Sequence, residues 1–414
     1  MRVVRAGCLL MAVAAALVLA GCATTPVPPF ATPAEVAGTE RAERNRAVFA
    51  RVWQLVADLH YDPRLGGVDW RGAAQAFGPQ AVAAADDRTL YRVLNAMLEP
   101  LGDSHTQALT PQQAEDRRTR LLARTGFNLL RVEDQWVVSE VLPGTPAERA
   151  GIRSGWIVLS RGGRPLGERV DFQAREGEAV EWEFRDGSDR LVRVAPVAEQ
   201  LPTGPRQMVR VLEGGWVYLR FDEFDGPDRR WLAEQLAEHA RAPGLVLDLR
   251  RNGGGETFSL GIALGEFFDR RVDCGTFVTR AGRRSVKNSW QVGSARYAGR
   301  LAVLVDAGTG SAAEIFAAVM QDQERAVVVG RRTAGAVLAS TFHRLPDGGR
   351  LQLSREDYLA PKGRRLEGAG VAPDVVVPLT LADLRAGRDP DVAAALRVLR
   401  DGLPMTSAAA ARTP

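Results

Sequence analysis

Cysteine is scarce in this chain: three in 414 residues, Cys8, Cys22 and Cys274. A disulfide-stapled scaffold is excluded, so the fold must rest on apolar burial. Hydrophobic residues make up 45% of the sequence, and the length allows two or three domains with ordinary cores. Histidine is also rare, at four residues (His60, His105, His239 and His343). No Cys/His/Asp/Glu group has metal-ligand spacing, and neither GxGxxG nor Gly-Lys-Ser/Thr is present, so no metal or cofactor is expected. Two lysines, Lys287 and Lys362, stand among 54 basic residues, as the codon bias of a GC-rich genome would produce. Net charge is +4 and no long basic run occurs. Nucleic acid is therefore not an implied partner. The apolar run Cys8–Leu19 is too short to span a bilayer as a stable helix.

That run does have a reading. Arg2 and Arg5 precede it, and Leu19-Ala20-Gly21-Cys22 ends it. The arrangement resembles the bacterial lipobox. It implies that residues 1–21 are a signal peptide and that Cys22 is acylated, anchoring the protein to a membrane by lipid. By the same resemblance, Ala23 favours outer-membrane retention, facing the periplasm of a Gram-negative host. Residues 22–38, rich in Pro and Thr from Thr24 to Pro33, read as a tether. Cys274 would be the one thiol left, expected as a buried apolar residue.

Apolar spacing divides the rest of the chain. Val48, Val52, Leu55 and Leu59 recur at helical intervals, as do Leu90, Leu94, Met97, Leu98 and Leu101. Helix is expected from about Thr39 to Gln113, in a small helical domain spanning 39–117. Residues 118–200 carry short alternating strands around Trp136-Val137-Val138 and Val180, Trp182, Phe184, with turns at Pro143-Gly144 and Arg185-Asp186-Gly187. From 201 to 404 strands and helices alternate, which is βαβ logic with a parallel sheet. Asp389 and Pro390 read as the cap and first position of a closing helix. The Ala-rich stretch 405–414 reads as a disordered tail.

Two segments could carry chemistry. Thr309-Gly310-Ser311-Ala312-Ala313-Glu314 joins the apolar strand Leu301–Asp306 to an apolar-periodic helix. A serine there suits a nucleophile, because helix amides favour the negative charge its attack creates. Ser with Glu three residues on is also the capping-box signature, and this segment alone favours the cap. The second segment, Asp248-Leu249-Arg250-Arg251-Asn252-Gly253-Gly254-Gly255, follows another buried strand. Its glycines could turn amides onto a phosphate or a reaction oxyanion, or could simply make a tight turn.

These two segments, together with Gln321-Asp322 and Arg325–Gly330, resemble the C-terminal processing peptidases. The family comprises serine endopeptidases with a crotonase-like α/β core and an embedded PDZ domain. Pro143–Ile152 resembles the short helix and turn of a bacterial PDZ domain, and Gly126-Phe127-Asn128-Leu129 falls on its carboxylate-binding loop. The resemblance implies an α/β fold with an N-terminal helical domain and an inserted PDZ-like module. It implies Ser311 as nucleophile and an oxyanion hole from the amides of Ala312 and Gly254.

The familiar branch of that family pairs its serine with a lysine in a Thr-x-Gly-Lys motif. Here the motif reads Thr333-Ala334-Gly335-Ala336, and neither lysine lies in an equivalent segment. Gly102-Asp103-Ser104-His105-Thr106 instead resembles the tricorn-like branch, which uses an upstream Ser-His pair and a downstream glutamate. Lys362-Gly363-Arg364-Arg365-Leu366-Glu367-Gly368 places Glu367 on that glutamate. The implied site is Ser311, His105, Ser104 and Glu367, with His105 as base. Asp322, which assists the lysine in the other branch, is expected to be structural here. The substrates implied are exported polypeptides or peptides, with selection by a free C-terminus through the PDZ-like module. A catalytically silent peptide- or ligand-binding scaffold of the same fold is the alternative reading.

Overall fold

The computed structural model describes residues 26–32, 34, 38–167, 170, 172, 174–203, 206–290 and 297–401. The signal peptide 1–21, the lipidation site Cys22, part of the tether and the tail 405–414 lie outside the described residues. Among those described, no helix is long and apolar enough to cross a membrane.

The central sheet has six strands, in the spatial order Met208–Val211, Val217–Arg220, Gly244–Asp248, Arg300–Val305, Val327–Gly330 and Val375–Val376. The first pair is antiparallel and the other four pairings are parallel. Strands buried on both faces need continuous apolar sequence, which Leu245-Val246-Leu247 and Leu301–Val305 supply. Leu245, Leu247, Val303 and Val305 face the helices Gly226–Glu238, Thr257–Gly265 and Ala312–Asp322. Val246, Ala302, Leu304 and Val329 face the closing helix Pro390–Asp401. Asp389 Oδ1 accepts from Val392 N (3.1 Å), as its capping position requires. The turns at the carboxyl ends of Gly244–Asp248 and Arg300–Val305 hold the two candidate segments, where open α/β sheets bind ligands.

Three capped helices, Glu40–Leu59, Trp70–Val82 and Asp87–Leu98, open the described chain. The helical expectation up to Gln113 needs correction. Gly102 in a left-handed conformation (φ 66°) ends the turn Glu99–Leu101, and Gln107–Leu109 is a strand. It pairs antiparallel with the long strand Arg350–Leu359, and helix Pro111–Thr119 begins only afterwards. Leu345, Leu351 and Leu353 from the far end of the chain pack into the core of these helices. Residues 101–109 are thereby held against a second sheet, in which Arg350–Leu359 also pairs with Asp273–Thr279 and Ala339–Arg344.

A third sheet runs Phe127–Val132, Gln135–Val141, Ile157–Arg161, Trp182–Arg185 and Leu191–Val194 in space. Phe127, Trp182 and Phe184 form its buried aromatic centre, with ring centroids 5.0–6.4 Å apart. Strands Leu121–Arg124 and Glu199–Pro202 pair where the chain enters and leaves this unit.

Candidate active site

Ser311 stands at a sharp strand-to-helix bend. The chain leaves Val305, turns through Asp306–Gly310, and takes φ 51°, ψ −121° at Ser311 before the helix starts. Positive φ at a non-glycine residue is strained and persists only when its surroundings impose it. Here Ser311 N donates to Ala336 O (2.7 Å) and to Glu314 Oε2 (3.2 Å). Thr309 Oγ1 donates to Leu249 O (2.8 Å), tying the bend to the neighbouring glycine turn. A strained strand-to-helix turn of this kind presents a serine hydroxyl outward. Ser311 borders a cavity of about 390 Å³ lined by Gly255, Phe258, Phe277, Ala312, Ile315 and Val337.

Gly254 packs directly on the serine. A Cβ at Gly254 would lie 2.5 Å from Ser311 Cβ and 2.9 Å from Ala312 N, and its φ is +109°. The sequence-based assignment of its amide to the oxyanion hole meets a complication. Gly254 N donates to Asn252 Oδ1 (2.9 Å), and buried Asn252 is itself held by Phe221 O (3.1 Å). Among the described residues no hydrogen bond engages the amides of Ala312 or Gly255, and both residues line the cavity with Ser311.

Glu314 does more than cap. It is fully buried, and Oε1 accepts from Thr333 Oγ1 (2.5 Å) and Gly335 N (2.7 Å). Oε2 accepts from Ala336 N (2.7 Å) as well as from Ser311 N. Burial pushes its pKa up, and these donors only partly offset that. The carboxylate staples the start of the serine helix to residues 333–336. Ala336, where the lysine was sought, therefore lies against the serine backbone and offers only a methyl group.

The site continues from the next residue. Val337 N donates to Glu367 Oε2 (2.9 Å). Glu367, 9% exposed, also accepts from Ser104 N at Oε1 (2.9 Å) and from Ser104 Oγ at Oε2 (3.0 Å). Ser104 Oγ lies 2.7 Å from His105 Nδ1. A hydroxyl has one proton. Once it is given to Glu367, Ser104 Oγ must accept from His105 Nδ1–H, which leaves the Nε2 lone pair free. Burial lowers the His105 pKa below its ordinary value, against the raising influence of Glu367 and Asp103. The ring is therefore neutral at pH 7, as a general base must be. Ser104, His105 and Glu367 thus meet in one hydrogen-bonded chain that reaches the Ser311 segment through Val337 and Ala336. No hydrogen bond joins the His105 ring to Ser311 among the described residues.

Other candidates take structural places. Asp322 pairs with Arg364 (2.7 Å) and accepts from Lys362 N (3.2 Å). Cys274 is buried, and burial pushes its thiol pKa up to about 12. In the third sheet, Phe127 is a core residue, and Gly126 (φ +99°) abuts Thr145 so closely that a Cβ would lie 2.3 Å from it. Asn128 donates to Glu140 Oε2 (3.0 Å), and Leu129 is half-buried. Among the described residues, strand Phe127–Val132 pairs only with Gln135–Val141 and ends its sheet. Beside it, Arg124 donates to Pro202 O (2.9 Å), while its buried Nε has no hydrogen-bond partner among the described residues.

Sequence reasoning passed over the reach of Glu314 to residues 333–336 and the Val337 amide on Glu367. Both are contacts between distant segments, and only the Ser-x-x-Glu spacing hinted at the first.

A strained serine over a glycine turn, at the carboxyl end of a parallel sheet, places the protein among the serine hydrolases. Comparison narrows the class: residues 215–377 match the family model described as Peptidase family S41. Over that segment the chain resembles the family, and it is a serine-type peptidase. It is 27% identical over 401 residues to a carboxyl-terminal-processing protease of Synechocystis sp., with 90% of each chain covered. It is 27% identical over 382 residues to a putative tricorn protease homolog 2 of Streptomyces coelicolor, covering 85% of this chain and 32% of that protein. Among solved structures, a photosystem II D1 C-terminal processing protease superposes with a TM-score of 0.60 at 24% identity, over 86% of this chain and 97% of that one.

Proposed function

We propose that this peptidase is an endopeptidase of exported polypeptides, lipid-anchored at Cys22 to the outer membrane and facing the periplasm. It acts through an acyl-enzyme on Ser311, with His105 as base and Ser104 and Glu367 as the relay that orients it. The observation that supports this most is the Glu367–Ser104–His105 hydrogen-bond chain, which fixes the tautomer that leaves Nε2 open. In a chain with Ala336 beside the serine, no ammonium competes for the role. Nε2 takes the Ser311 proton as Oγ attacks the scissile carbonyl, and must come within about 2.6–3.2 Å of Oγ to do so. The oxyanion accepts from the Ala312 amide and from the 253–255 turn, where Gly255 is open and Gly254 serves if Asn252 releases it. The protonated His105 then gives its proton to the leaving amine, and water repeats the sequence to free the acyl group.

The fold assignments that accompany this reading are a helical domain at 39–117, a PDZ-like module at 118–200 and a crotonase-like core at 201–404. The open edge of Phe127–Val132 suits addition of a peptide as an extra strand. Labelling of the full chain by a fluorophosphonate tests the site. We expect labelling that Ser311→Ala abolishes and His105→Ala slows roughly 10²–10⁴-fold. A His105→Ala protein that labels as fast as wild type would remove His105 as the base. A folded wild type that never labels would favour the peptide-binding scaffold.

A further inference from the structure

His60 and Asp103 make a second set of contacts to the His105 loop, separate from the bonds of Ser104 and Glu367. Their side chains are each 1% exposed, and His60 Nε2 lies 2.7 Å from Asp103 Oδ2. His60 is the residue that ends helix Glu40–Leu59. Its backbone is held from outside the helix too: Arg280 donates to His60 O (2.8 Å) and to Ala57 O (3.0 Å). The ring is thus a fixed point, braced by Asp62, whose backbone N and O both lie 3.2 Å from Nδ1. Nδ1 is turned to the Asp62 backbone, so Nε2–H is the group that donates to the Asp103 carboxylate.

Asp103 converts that fixed point into the shape of the catalytic loop. Its Oδ1 accepts from His105 N (2.9 Å), Thr106 N (2.7 Å) and Ser354 Oγ (2.8 Å). Its Oδ2 accepts from Thr106 Oγ1 (2.7 Å) and His60. Burial alone would raise the Asp103 pKa, but the donors from His60, Thr106 and Ser354 outweigh it and hold the carboxyl at about 2. A buried carboxylate is therefore ionised at every working pH and depends on its full set of donors. Two of its bonds go to the backbone of His105 and Thr106. This carboxylate sets the position of the His105 backbone, while Ser104 and Glu367 set the tautomer of its ring.

We propose that His60 is a positioning residue for the peptidase reaction, acting through Asp103 to hold the His105 backbone where its ring can serve Ser311. The proposal rests on the reading of His105 as the base. A side chain in this role touches no substrate, so its loss lowers turnover and leaves substrate binding alone.

The test is steady-state kinetics on a peptide substrate with full-length variants of confirmed folded content. His60→Ala should lower kcat roughly 10- to 100-fold with KM within about twofold, as misplacing a catalytic group does. His60→Gln, whose Nε2 can donate to Asp103 from a similar place, should restore most of the loss. If His60→Ala fails to fold, Ser354→Ala removes another Asp103 donor and should show the same fall in kcat at constant KM. The proposal is overturned if kcat per folded molecule is unchanged, if KM carries the effect, or if glutamine fails to rescue. Should His105→Ala keep normal activity, the base assignment falls and this inference with it. If His105→Ala is inactive and the His60 and Ser354 variants turn over normally, only the positioning role is lost.

Discussion

Replacing Glu314 by glutamine tests whether a buried carboxylate holds Ser311 in its strained turn. In the native protein each Glu314 oxygen accepts from two donors: Thr333 Oγ1 and Gly335 N on one, Ala336 N and Ser311 N on the other. Glutamine presents one oxygen and one NH₂. If the NH₂ takes the Oε2 place, it faces two backbone N–H groups. If it takes the Oε1 place, it faces Gly335 N–H, and the Thr333 hydroxyl, already accepting from Val371 N (2.7 Å), must turn to accept again. Either way at least one buried donor loses its acceptor. Such a donor costs about 1–3 kcal/mol, and bonds to a charged acceptor are worth about 1.5–3 kcal/mol. Burial already disfavours the ionised form, as the raised pKa shows, so a neutral side chain recovers part of this. The net expectation is a loss of about 2 kcal/mol. For a unit of 150–250 residues that is roughly 4–8 °C in the thermal midpoint. Calorimetry of the Glu314→Gln protein measures the shift. Fluorophosphonate labelling should slow by roughly tenfold or more as Ser311 relaxes. A midpoint within about 1 °C of wild type, with unchanged labelling, would refute the reasoning.

Further outcomes follow from the same geometry. Burial lowers the His105 pKa, and the base works only when unprotonated. Activity should therefore rise with pH along an acid limb centred below the ordinary histidine value of about 6.5 and then level off; a kcat/KM profile with its limb at or above that value contradicts the assignment. Gly254→Ala should cut kcat by roughly 10²-fold or more, because the new Cβ meets Ser311 Cβ at 2.5 Å in a backbone conformation that disfavours L residues. Near-normal turnover in that variant would mean the turn does not shape the nucleophile.

The limits of the sequence show at particular residues. The strand–helix alternation of the core was legible because continuous apolar strands and amphipathic helices announce themselves locally. The structure places those strands at Val217–Arg220, Gly244–Asp248, Arg300–Val305 and Val327–Gly330. The helical reading failed at Gln107–Leu109, because that segment is a strand only through its partner Arg350–Leu359, some 240 residues away. Burial of Glu314 and the shared acceptor at Glu367 were invisible for the same reason.

The serine, the glycine turn and the missing lysine at Ala336 are properties of the chain itself. They follow from residue identity and local spacing, and the resemblance to the C-terminal processing peptidases implies from them a serine peptidase with an unusual base. Which face of His105 stays open, why its ring is neutral, and what braces its loop follow from contacts among residues 60, 103–106, 354 and 367. Those contacts exist only once helix Glu40–Leu59 and strand Arg350–Leu359 pack together. Hydrogen bonding and desolvation act over a few ångströms of space, and sequence order carries no record of such distances.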